Sequence, residues 1–164
     1  RRPAYFATPP VNHIWSLQAS LEQILREGMD DRWARHSRLS RAFKAGAAAL
    51  NLTPVPLREE LAANTLTALY YPEGIDTALV KTIAEQGVIV AGGLHPQIRT
   101  RYFRVGHMGA VTEADILSTL GAIELALRKH GFLKHPGPGV SAALSALGST
   151  QPGVDAAVPQ DTRR

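Results

Sequence analysis

The run Arg101-Tyr102-Phe103-Arg104-Val105-Gly106-His107-Met108-Gly109 holds the residue best suited to chemistry in this chain, Arg104. It stands among apolar residues in what reads as a short β-strand running into a glycine-loosened turn. A planar guanidinium there can give two parallel hydrogen bonds to a carboxylate or a phosphate. Apolar surroundings make an unpaired charge costly, so an anionic partner is expected. A structural Asp or Glu would serve equally, as would an edge position from which the side chain reaches water. Gly106 and Gly109 add room for a ligand or another backbone to come close.

Three further places invite a chemical reading. Gly92-Gly93 closes a short apolar run and could turn backbone amides toward an anion, although Gly-Gly is also common turn punctuation. Tyr5 and Thr8 lie just before a helix start, where hydroxyls and free amides suit a phosphate; a Thr cap and a packed Tyr are the plainer alternative. His95 and His107 flank the Arg104 strand, but no third ligand accompanies them, so no metal site is expected. His36 reads as a core or boundary histidine, and Trp15 and Trp33, on helical stripes, as core residues.

These residues need elements to hold them. Pro9-Pro10 opens a helical pattern in which Val11, Ile14, Trp15, Leu17, Leu21, Ile24 and Leu25 recur up to Gly28. Asp30-Asp31 suits the start of a second helix, with Trp33, His36, Leu39, Phe43 and Ala47 as its stripe, ending near Leu50. The 52–57 segment is a proline-marked edge, and 65–71 alternates as a strand. Residues 75–86 have helical spacing, with Gly87 following, and 88–91 read as a short strand. Thr112-Glu-Ala-Asp115 has capping-box character, and Ile116, Leu120, Ile123 and Leu127 carry the last helix to about Gly131. From His135 onward Pro, Gly, Ser, Ala, Thr and Gln dominate, which predicts a flexible tail with at most a transient helical turn over 142–147. The order is two helices and then β-α-β-β-α: an α+β domain with helices on one face of a small, mostly antiparallel sheet.

The bulk numbers agree with one domain of ordinary size: 164 residues, 45% apolar and 20% charged. With no cysteine, disulfides, thiolate zinc and cysteine nucleophiles are excluded. The net charge of +4 comes from arginines scattered over helix faces, with no basic patch interleaved with aromatics, so no nucleic-acid partner is expected. No run of eighteen apolar residues occurs, and no membrane partner is expected either. Arg1-Arg2-Pro3 leads straight into Ala-Tyr-Phe without an initiator Met or a signal peptide, as though the chain began mid-protein.

Taken together, Tyr5-Phe-Ala-Thr8-Pro-Pro10, Val90-Ala-Gly-Gly93 and Tyr102-Phe-Arg104-Val-Gly-His-Met-Gly109 resemble the C-terminal part of the alanine–glyoxylate aminotransferases, and the fungal ones most. These are class V, fold-type I pyridoxal-phosphate enzymes, and the resemblance covers about residues 3–132. It implies a small C-terminal domain over 29–133, preceded by the end of a large domain and a linking helix over 1–28, and followed by the tail over 134–164. It also implies that Arg104 clamps the substrate α-carboxylate and that Tyr5 and Thr8 reach the phosphate of the neighbouring subunit's cofactor in a homodimer. Gly92 and Gly93 would lie near the substrate entrance. The implied cofactor is pyridoxal 5'-phosphate, the substrates are alanine or serine with glyoxylate, and the setting is intracellular. Asp161-Thr-Arg-Arg164 is not a Ser-Lys-Leu peroxisomal signal.

One departure limits what the chain does alone. The family needs a lysine to hold the cofactor covalently, and Lys44, Lys81, Lys129 and Lys134 all lack that lysine's context. The resemblance therefore implies an inactive fragment of an active enzyme. The rival expectation is a non-catalytic α+β module that binds a small carboxylate or a partner through the same arginine.

Overall fold

The computed structural model describes residues 7–149. Helix α1 (Val11–Glu27) stops at Gly28, whose φ of 83° lies in the left-handed region that glycine tolerates. Helix α2 (Met29–Ala49) begins directly after that break, with Asp30 and Asp31 in its first turn. Its expected stripe is buried at His36, Leu39, Phe43 and Ala47. The stripe of α1 is not: none of its residues is buried, and it packs chiefly against α2. Trp15 and Trp33, expected in the core, are 65% and 64% exposed. Nothing among the described residues covers either of them.

Three strands form one antiparallel sheet in the order β1-β3-β2: β1 (Leu66–Tyr70), β2 (Ala91–Gly92) and β3 (Tyr102–Gly106). Side chains alternate across a strand, so the register sorts them by face. Leu69 pairs with Phe103 and Thr67 with Val105, and all four are buried. Ala68 pairs with Arg104 and Tyr70 with Tyr102 on the opposite face. The 52–57 segment does run along β1: Tyr70 N–H donates to Thr53 O and Val55 N–H to Ala68 O, each at 2.9 Å. The 88–91 strand is shorter than expected, because the ladder with β3 begins only at Ala91, and Ile89 is 91% exposed.

Helix α3 (Ala78–Ala84) is also shorter than the 75–86 pattern, since Asp76 Oδ1 accepts Ala78 N–H at 2.8 Å and starts the helix there. Helix α4 (Glu113–Lys129) has the predicted capping box: Thr112 accepts from Asp115 N–H, and Asp115 Oδ2 accepts Thr112 N–H at 2.7 Å. Ile116, Leu120, Ile123 and Leu127 are buried with Leu39 and Phe43 in one core. Each such side chain contributes about 2 kcal/mol by leaving water.

The expectation of a flexible tail from 134 is corrected over its first half. Residues Pro138–Gly148 form a helix, α5, packed against α2 and α4, with Gly139 and Ala143 buried. The composition that reads as low-complexity is what a close helix crossing needs. A Cβ on Gly46 of α2 would sit 2.8 Å from Gly139 O, so the two backbones nearly touch. Residues 150–164 and 1–6 lie outside the described part, and with them the rest of the tail and Tyr5.

Candidate functional site

Arg104 is half-buried in the central strand, with Ala68 opposite it on one side and Ala91 on the other. Two alanines leave its guanidinium uncrowded. Its Nε donates to Gly92 O at 2.8 Å. No ion pair joins it to a carboxylate among the described residues, where Arg32, Arg35, Arg38, Arg58 and Lys129 all have acidic partners. With Nε tied to the protein, the two terminal nitrogens remain as a fork for a planar anion.

Gly92-Gly93 stands beside this fork, where β2 gives way to a turn. Gly92 offers its carbonyl to the arginine rather than an amide to an anion. A Cβ on Gly92 would meet nothing within 4 Å, so open space adjoins it. Gly93 is required sterically: a Cβ there would lie 2.6 Å from both Tyr102 Cε1 and Arg99 O. The amides of Leu94 and His95 donate to Tyr102 Oη at 2.9 and 3.1 Å. These two bonds hold the Tyr102 phenol below the usual tyrosine range, the His95 bond first, with the Arg104 charge adding to them. Tyr102 was not legible as a site residue, since its sequence signal is that of a strand aromatic.

The glycines after β3 serve the protein as well as any ligand. Gly109 N–H donates to His36 Nε2 at 3.2 Å, and Arg32 O lies 2.7 Å from His36 Nδ1, so His36 is a satisfied boundary residue. Arg35 donates to Gly109 O at 3.0 Å and Val111 O at 2.9 Å, and it pairs with Glu27 at 2.6 Å. The turn following the Arg104 strand is thereby tied to both helices flanking Gly28. Arg35 looked like one more outer-face arginine because its partners are distant in sequence.

His95 and His107 do not converge. His107 is fully buried against Phe43 with Nε2 2.8 Å from Thr67 Oγ1, while His95 is exposed and its Nδ1 accepts Gln97 N–H. Among the described residues no group of three or more acids and histidines is placed to hold a metal. Thr8 is exposed ahead of α1, and α1 has Pro10 at its cap with no side-chain capping bond. No helix of the described residues is long and apolar enough to cross a membrane.

Helices packed on a small antiparallel sheet are the architecture of the small C-terminal domain of fold-type I aminotransferases. Pyridoxamine–pyruvate aminotransferase from Mesorhizobium loti superposes with a TM-score of 0.80 at 29% identity, over 89% of this chain and 38% of that one. Alanine–glyoxylate aminotransferase 1 of Saccharomyces cerevisiae is 42% identical over 108 residues, covering 65% of this chain and 28% of the yeast protein. L-aspartate–glyoxylate aminotransferase of Paracoccus denitrificans is 36% identical over 143 residues, covering 87% and 36% respectively. The chain belongs to the class V aminotransferases. It spans about a third of the length of the curated relatives it matches. No protein-family model matches it.

Proposed function

We propose that this chain is the substrate-anchoring part of a pyridoxal-phosphate-dependent aminotransferase that moves an amino group from alanine or serine to glyoxylate. The observation that carries the reading is the Arg104 fork, oriented by Gly92 O and unpaired among the described residues. In the reaction Arg104 holds the α-carboxylate of the amino acid, and later that of the oxo acid, so that each reacting carbon returns to one place. Holding the carboxylate by two parallel bonds also fixes the plane of the substrate.

The residues present fit the substrate end of such a site but not a covalent seat for the cofactor. Lys129 is paired with Glu85 at 2.7 Å on the surface, and Lys81 is exposed. Lys44 lies on α2, beside β1. Thr8, with Tyr5, is assigned to the phosphate of a neighbouring subunit's cofactor, which makes the working unit a homodimer. Residues 1–28 then link to the rest of the enzyme, in keeping with an α1 that buries nothing within the described chain. The small domain runs from 29 through α5, and the chain by itself is inactive.

The test is Arg104→Ala in the full-length protein that carries this segment. Loss of a half-buried charged clamp costs roughly 1.5–3 kcal/mol, so the KM for the amino acid should rise about tenfold or more. Unchanged substrate kinetics would refute the assignment.

A further inference from the structure

An arginine side chain has many rotamers, and a clamp that is already oriented loses less freedom when its anion arrives. The atom that orients Arg104 is Gly92 O, 2.8 Å from Nε. That carbonyl ends β2, whose pairing with β3 sets Ala91 opposite Arg104 and Gly92 opposite Phe103. Tyr102 holds the turn that follows it. The ring lies under Gly93, so closely that a Cβ there would be 2.6 Å from Cε1 and 2.8 Å from Cδ1. The hydroxyl accepts Leu94 N–H at 2.9 Å and His95 N–H at 3.1 Å. Tyr102 is itself only 6% exposed and two residues from Arg104 on the same face of β3. One side chain thus grips the turn beneath and beyond the carbonyl that grips the guanidinium.

We infer that Tyr102 is a positioning residue: through the 92–95 turn and Gly92 O it holds the Arg104 fork in the pose that receives the substrate carboxylate. The inference rests on the assignment of Arg104 as carboxylate anchor. Tyr102 touches neither substrate nor cofactor in this role; it keeps Gly92 O where Nε can donate to it. Phenylalanine at 102 keeps the ring under Gly93 but strands two amides, which then turn to water and release the turn.

The first measurement needs no activity. In the 164-residue chain, the Arg104 Nε–H resonance, assigned by its loss in Arg104→Lys, should exchange with solvent more slowly than that of exposed Arg101. Tyr102→Phe should speed that exchange about three- to tenfold while the remaining amide spectrum stays folded. Gly93→Ala, which keeps the hydroxyl but forces the turn off the ring, should do the same and serves if Tyr102→Phe does not fold. Unchanged Arg104 exchange in a folded variant overturns the inference. The second measurement is a cycle in the full-length protein. Tyr102→Phe should raise the amino acid KM, hold kcat within about twofold, and add nothing in an Arg104→Ala background. An equal KM increase in both backgrounds overturns the positioning role and leaves the Arg104 assignment standing. An unchanged KM in Arg104→Ala alone overturns the assignment, and the exchange data still decide whether Tyr102 holds the guanidinium.

Discussion

Glu124, buried in the middle of α4, accepts the backbone N–H of Gly139 at 2.6 Å from the first turn of α5. The same carboxylate accepts Gly137 N–H at 2.5 Å and Val140 N–H at 3.0 Å. Helix α5 has no side-chain cap of its own, so α4 supplies one across the interface. A carboxylate at a helix N-terminus satisfies unpaired amides and complements the helix dipole. Glu124→Ala leaves the buried Gly139 N–H, and the half-covered Val140 N–H beside it, without this partner and should destabilise the chain by about 1–3 kcal/mol. A urea midpoint equal to that of the native chain would count against this role, as would unchanged hydrogen exchange at Gly139 and Val140.

Gly46 governs the same interface from α2. A Cβ there would lie 2.5 Å from Leu120 Cδ1 and 2.8 Å from Gly139 O. Leu120 can turn aside, but the Gly139 carbonyl is backbone and cannot. Gly46→Ala should cost about 1–3 kcal/mol and loosen α5 before the sheet. Thermal unfolding followed at α5 and at β1 separately would check the order.

His107 should make the fold sensitive to mild acid. Burial lowers its pKa below the ordinary 6.5, and the Lys44 and His36 charges push the same way. The folded state therefore prefers the neutral ring, while the unfolded chain takes up the proton near 6.5. Stability is complete above that value and falls as pH drops from it toward the folded pKa. His107→Gln should flatten this part of the stability–pH curve, and urea titrations between pH 7 and pH 5 would show whether it does.

Glu27 acts at a lower pH. Its hydrogen bond with Arg35, joined by Arg32, holds its carboxyl down to about 2 against an ordinary 4.5. The pairing stabilises the folded chain fully above 4.5, and the contribution is lost as pH falls through about 2. An NMR titration of the Glu27 carboxyl should find its midpoint near that lower value. A midpoint in the usual glutamate range would mean that the α1–α2 corner is open in solution. Glu27→Gln should loosen α1 relative to α2 and leave the β1–β3 pairing intact.

The sequence alone determined the elements whose signals are local. The Gly28 stop, the Thr112–Asp115 capping box and the buried stripe of α4 follow from residue type and spacing. The alternation of 65–71 likewise gave β1. Arg104 stood out as a candidate because a guanidinium among apolar strand residues needs an anion, a structural carboxylate or a route to water. Tertiary structure decided everything that depends on distant partners. Trp33 follows the stripe of α2 yet is exposed, since periodicity gives a face but not whether anything covers it. The Gly, Ser and Ala residues of 138–148 read as low-complexity, and their helix is seated where Glu124 and Gly46 lie across from it. Tyr102 reads as a packed strand aromatic until the 92–95 turn closes over it. The fold brings two amides to its hydroxyl and Gly92 O to Arg104, and such hydrogen bonds between separate strands and loops leave no pattern in the chain.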